Sequence, residues 1–153
     1  MFQNGTVPAS DPKLGSVNRL GRVVVQLRDV SSPAAIRGGL APWQVRRVTA
    51  YIEEHLASTI RLQDLARIAR LSHSHFCRAF KESIGHPAHA YVMRRRVQRA
   101  QGLMLTTAES LSQIAAQCGM ADQAHFCKLF RRLVGESPNA WRRARRQVAS
   151  VPA

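Results

Sequence analysis

From residue 42 to about residue 146, apolar side chains recur at three- and four-residue steps, the period of helices buried on one face. Pro42 suits a first helical turn, and Val45, Val48, Ile52 and Leu56 follow it on one stripe. A second helix is predicted over about 62–70, burying Leu62, Leu65, Ala66 and Ala69. Ser72 is a good N-cap for a third over 73–84, with Phe76 and Phe80 one turn apart and inward, and Gly85 as its stop. A longer helix over about 88–105 is expected to bury Tyr91, Val92, Val97, Ala100, Leu103 and Met104, and to turn Arg94, Arg95, Arg96 and Arg99 outward. Ser110 and Gln113 form a capping box ahead of a helix over 111–118, and Gly119 supplies a turn. Asp122 caps a helix over 123–134, Gly135 ends it, and Ser137-Pro138 opens a last one through Trp141 to about Arg146. No stretch of 42–146 alternates as a strand would. The expected fold is all-α, with about seven helices.

The flanks read differently. Residues 1–41 hold most of the Gly and Pro and are expected to form a flexible basic N-terminal arm. Residues 147–153 are expected to be a disordered tail.

Within the helical region the chain repeats itself after about fifty residues. Leu65-Ala66, Ser72-His73-Ser74-His75-Phe76-Cys77-Arg78-Ala79-Phe80-Lys81, Gly85 and Tyr91 make one copy. Ile114-Ala115, Asp122-Gln123-Ala124-His125-Phe126-Cys127-Lys128-Leu129-Phe130-Arg131, Gly135 and Trp141 make the other. Each copy reads as a short helix, a tight turn and a second helix that carries cations. A helix-turn-helix needs small residues where its two helices cross, here Ala66 and Ala69, then Ala115 and Ala116. It also needs a sharp bend, which Gly119 gives in the second copy and Leu71 replaces in the first. The two units are joined by the long linker helix; at about 1.5 Å per residue its length is roughly 27 Å. With the flanking turns, that reach matches two major grooves about 34 Å apart on one face of a duplex.

Charge agrees with such a partner without naming it. Of 153 residues, 23 are Lys or Arg and 9 are Asp or Glu, a net charge of +14. Nearly all the cations are Arg, whose planar fork suits phosphate. No run of apolar residues is long enough for a membrane span, no secretory leader opens the chain, and Cys77, Cys118 and Cys127 lack metal-ligand spacing. A reduced, cytoplasmic protein is expected. His73 and Cys77 are four apart on one helix, but two ligands do not make a metal site, and neither metal nor cofactor is expected. Neither a catalytic triad order, paired carboxylates nor a phosphate loop appears, so catalysis is not expected.

Residues 42–146 also resemble the DNA-binding domain of AraC/XylS-type transcription regulators. Ile114-Ala115, Cys118-Gly119-Met120, Asp122-Gln123, His125-Phe126, Phe130-Arg131-Arg132, Gly135 and Ser137-Pro138 before Trp141 carry most of the resemblance. Tyr91-Val92-Met93-Arg94-Arg95-Arg96-Val97, Arg99-Ala100 and Leu103-Met104-Leu105 match its linker helix. Ala124, Lys128 and His86-Pro87 depart from the family's usual residues. The resemblance implies a sequence-specific regulator that puts both recognition helices, about 73–84 and 123–134, into successive major grooves of double-stranded promoter DNA as a monomer or weak dimer. It implies RNA polymerase as a further partner, in a bacterial cytoplasm. Many members carry a large effector domain ahead of this one; forty-one residues cannot build it, so a short stand-alone member or a remnant of a longer one is expected.

Base readout is assigned to His73, Ser74, Cys77 and Arg78 in the first unit and to Gln123, Ala124, Cys127 and Lys128 in the second. Arg78 suits a guanine edge and Gln123 an adenine, each good pair giving about 1–3 kcal/mol of discrimination. Backbone contact is assigned to Lys81, Arg95, Arg96, Arg131, Arg142 and Arg143, with a brace inside the domain as the alternative for Arg96 and Arg99. His75 and His125 are read as packing or phosphate partners. Trp43, Tyr91, Trp141 and the Phe pairs are read as core, as is Cys118. A sequence-blind coating protein and a basic face for an acidic protein remain as other classes.

Overall fold

Helix ends fall where side chains satisfy the backbone. In the computed structural model, which describes residues 37–149, Ser72 accepts from the N–H of His75, Ser110 from that of Gln113, and Asp122 from that of His125. The helices are α1 (Pro42–Glu54), α2 (Leu62–Ile68), α3 (His73–Ile84), α4 (Ala88–Thr106), α5 (Leu111–Gln117), α6 (Gln123–Val134) and α7 (Pro138–Ala149). No strand occurs among the described residues.

The helices surround two cores. One is built on Val48, Ile52, Leu65, Phe76, Phe80, Tyr91 and Val92; the other on Val97, Met104, Ile114, Phe126, Phe130 and Trp141. They repeat an aromatic chain: Phe76 to Phe80 to Tyr91 with ring centroids 5.5 and 5.6 Å apart, and Phe126 to Phe130 to Trp141 at 5.6 and 5.8 Å. The steps from Phe80 to Tyr91, Phe126 to Phe130 and Phe130 to Trp141 meet edge to face, the arrangement favoured by the ring quadrupole.

Helix α4 belongs to both cores. Its first half gives Ala88, Tyr91 and Val92 to one, its second gives Val97, Ala100 and Met104 to the other, and Met93 touches both. The expected single apolar face is therefore corrected. Between the two halves, Arg96 is turned inward and only 7% exposed, rather than outward with its neighbours.

Four further expectations change. Trp43 is 38% exposed and lies beneath the Arg70 guanidinium, 5.8 Å from its ring centroid, instead of joining the core. Ala116 is exposed; Cys118, fully buried, fills the place in the second unit that Ala69 fills in the first. Leu40 is buried and its N–H donates to Ser83 Oγ at 2.6 Å, so the ordered domain begins ahead of Pro42. Helix α7 continues to Ala149, past its expected end. Of the arm expected over residues 1–41 and the tail expected over 147–153, residues 1–36 and 150–153 lie outside the described residues.

The turn of the first unit is made by Arg70, not Leu71. Arg70 has φ 57° and Gly119 has φ 68°, both left-handed. Each is followed by the same closing bond, Leu71 N–H to Ala66 C=O in one and Met120 N–H to Ala115 C=O in the other. The sites are not interchangeable. A Cβ on Gly119 would lie 2.4 Å from the Leu56 carbonyl oxygen and 3.0 Å from the Arg96 guanidinium carbon. Gly119→Ala therefore combines left-handed strain with overpacking and is expected to lose about 2–4 kcal/mol in urea unfolding. Arg70→Ala keeps the strain already present and gives up only the ring contact, for a loss below about 1 kcal/mol. Equal losses at the two positions would refute the asymmetry.

Candidate nucleic-acid interface

Both recognition helices turn the same residues outward. Along α3, Phe76, Ala79 and Phe80 face the core while His73, Ser74, Arg78 and Lys81 are exposed and Cys77 is half-buried. Along α6, Phe126, Leu129 and Phe130 face inward; Gln123, Ala124, Lys128 and Arg131 are exposed and Cys127 is half-buried. Eight positions thus coincide in exposure fifty residues apart. The first turns of α3 and α6, fixed by Ser72 and Asp122, present their outward residues at the end that meets base edges in a helix-turn-helix.

The assigned base-reading residues form these two exposed faces, with one contact inside them. His73 Nε2 lies 3.8 Å from Cys77 Sγ, one turn away. Burial pushes the Cys127 thiol upward, which keeps it protonated near neutrality. His75 and His125 are exposed, so packing is not their role.

The backbone-contact assignments divide. Lys81, Arg131 and Arg143 are exposed. Arg95 is held by Glu53 of α1 through a two-bond fork, 2.5 Å from Nε and 2.7 Å from Nη2, and by Gln98 at 2.8 Å. Its pKa is raised, first by the hydrogen bond to Glu53. Arg95 thereby ties α4 to α1.

Arg96 donates from Nη1 to the Gly119 carbonyl at 2.7 Å and from Nη2 to the Ser58 carbonyl at 2.6 Å. Burial pulls its pKa down. Arg142 donates to the carbonyls of Met104 at 3.0 Å, Thr107 at 2.7 Å and Glu109 at 2.7 Å. Those groups lie at and after the C-terminus of α4, where a cation complements the orphan carbonyls and the dipole. Arg95, Arg96 and Arg142, expected at phosphates, thus engage acceptors inside the domain. Sequence spacing gave the brace as an alternative for Arg96 but gave no sign of the Arg142 cap, whose partners are more than thirty residues away. Gln44 was also missed. It accepts from Ala41 N–H at 2.7 Å and donates to the Ala69 carbonyl at 2.6 Å, clipping the start of α1 to the end of α2.

The description "Helix-turn-helix domain" matches residues 65–144, more than half the chain. The chain belongs to the AraC/XylS-type helix-turn-helix family. Over 74 residues it is 39% identical to "Probable transcriptional regulator LumQ" of Photobacterium leiognathi, a match covering 48% of this chain and 30% of LumQ. Over 99 residues it is 30% identical to "Regulatory protein PocR" of Salmonella typhimurium, covering 65% and 33% of the two chains. The chain thus spans about a third of these relatives' length. The DNA-binding domain of AdpA, solved in complex with a target DNA, superposes with TM-score 0.65 at 31% identity, covering 69% of this chain and 95% of that one. An AraC-type regulator from Chromobacterium violaceum gives TM-score 0.64 at 25% identity, with coverages of 68% and 93%. Two helix-turn-helix units on a seven-helix all-α domain are the architecture of this family.

Arg142→Ala is expected to remove a charged cap from three carbonyls and to lower stability by about 2–3 kcal/mol, read as a shifted urea midpoint. At a temperature where the variant stays folded, its preferred DNA sequence should match the wild type. A changed sequence preference with unchanged stability would restore Arg142 to the interface.

Proposed function

We propose that this chain regulates transcription by binding double-stranded promoter DNA in a sequence-specific way, with α3 and α6 in successive major grooves. The observation that carries the proposal is the coincidence of exposed positions on the two helices, repeated on one domain of net charge +14. His73, Ser74, Cys77 and Arg78, with Gln123, Ala124, Cys127 and Lys128, face the bases; Lys81, Arg131 and Arg143 hold phosphates. The first unit supplies more of the discrimination through Arg78, and the second more of the grip, because Ala124 offers a methyl and Lys128 a point charge. The protein acts in the cytoplasm as a monomer or weak dimer and contacts RNA polymerase. No described helix is long and apolar enough to cross a membrane.

Competition gel shifts test the central statement. A duplex selected from a random pool should outcompete a scrambled one by at least about a thousandfold near physiological salt. If the scrambled duplex competes equally from 50 to 200 mM salt, about the range over which phosphate contacts lose affinity steeply, the chain is a sequence-blind coating protein.

Arg78→Ala should relax preference at one base position, whereas Lys81→Ala should weaken all sequences alike and reduce the salt slope by about 1. Should Arg78→Ala leave the selected sequence unchanged, its assignment to a base edge is wrong.

A further inference from the structure

We infer that Arg96 is the positioning residue that fixes α6 relative to α3 and thereby sets how many base pairs the chain accepts between its two half-sites. This rests on the DNA-reading function proposed above, and adds to it a rule for spacing.

Among the described residues the two cores share α4, which passes from one to the other between Val92 and Val97, and Met93 is the partly buried side chain that packs against both. Beside that seam lies an open groove of about 620 Å³, lined by Thr59, His89, Met93, Ala116, Met120 and His125. Apolar packing across the seam is therefore incomplete, and a single helix would leave the second unit free to bend and twist about it.

Arg96 stands in the seam and reaches both sides. Its Nη2 bond to Ser58 stays within the first unit, in the loop before α2. The same bond recurs in the second unit, where Arg146 Nη2 donates to the Thr107 carbonyl in the loop before α5. The Nη1 bond to Gly119 is different in kind, because it crosses from α4 of the first unit to the turn of the second. That turn is also pressed against the Leu56 carbonyl so closely that no Cβ fits. Arg96 is 93% buried in this contact, since only 7% of it is exposed, and a guanidinium stays charged there because it does not deprotonate in proteins.

Position makes the joint matter for recognition. Gly119 precedes Asp122, the N-cap of α6, by three residues, so displacing the turn displaces the root of the second recognition helix. Adding one base pair between half-sites moves the second groove by about 3.4 Å and rotates it by about 35°. A locked joint cannot follow that change, whereas a hinged one can. A planar two-pronged donor locks both carbonyls at once, which an ammonium cannot do in the same fixed geometry.

The test uses the full chain and two of its own cysteines. Cys77 and Cys127 hold equivalent, partly exposed places on α3 and α6, while Cys118 is buried with its thiol pushed up to about 11, so spin labels go to the first two. Pulsed electron–electron distance measurements on the free wild type should give one narrow distribution. Arg96→Met should at least double its width while the helix content stays unchanged. Unlabelled proteins are then assayed on the selected site with one or two base pairs added or removed between half-sites. The wild type should lose tenfold or more for each single step, and Arg96→Met less than threefold. Arg96→Lys should fall between the two in both assays.

An unchanged distance distribution in Arg96→Met would overturn the inference. So would an affinity loss by the same factor at every spacing, which is what a purely structural role produces. Arg96→Lys behaving as wild type would show that the fork is not needed, and loss of folding in both variants would show a core role instead of a positioning one. If the wild type bound all duplexes alike, the proposed function would fail, while the label distances would still decide whether Arg96 fixes α6 against α3.

Discussion

The contact between one guanidinium and two carbonyls, Ser58 and Gly119, governs how the halves of this domain stand together. Each half can bury its own aromatic chain without the other. Between the two cores that α4 joins stands one buried charged side chain, Arg96, beside Met93, which packs against both. A charged group taken out of water there is stabilised only if its donors find acceptors. The carbonyls of Ser58 and Gly119 face it from the two units, and each takes one Nη donor. The tight approach of Gly119 to Leu56 is the steric half of the same joint.

This arrangement alters the meaning of the chain's charge. Read as composition, +14 suggests a uniformly cationic surface. In the fold, several arginines are structural: Arg95 ties α1 to α4, Arg96 joins the units, and Arg142 and Arg146 close the carbonyls after α4. Arg145 lies over the Trp141 ring at 4.5 Å and pairs with Glu136. The cations left on the outer faces of α3 and α6 are fewer and are placed by the helix period. Arginine suits both tasks because one planar fork fits phosphate oxygens and orphan carbonyls alike, and this is why type alone does not separate them.

What was legible in the sequence follows from the range of the forces involved. Ser72, Ser110 and Asp122 mark helix starts because a cap acts over three residues, and Gly85 and Gly135 mark stops for a similar reason. The inward Phe pairs are equally local, one helical turn apart. The turn at Arg70 escaped because nothing in an arginine's chemistry announces a left-handed backbone; only the superposition on Gly119 reveals it. The inward turn of Arg96 escaped because its partners lie 38 and 23 residues away, on opposite sides of α4. Trp43 was misplaced because aromatic character alone suggested burial, whereas Arg46 and Arg47 stand one turn on and Arg70, in the turn after α2, lies over its ring at the rim. The exposed faces of α3 and α6 were legible in the repeat, since duplication displays the same inward and outward pattern twice.

The equivalence of Arg96 and Arg146 has an architectural consequence. Each recognition unit ends in a helix that carries, at the same place, an arginine gripping the loop at the front of its own unit. The unit is thus built as a link with a socket at its tail, and the first socket takes in the Gly119 turn, where no Cβ fits. The pitch between one link and the next is thereby inherited from a single side chain.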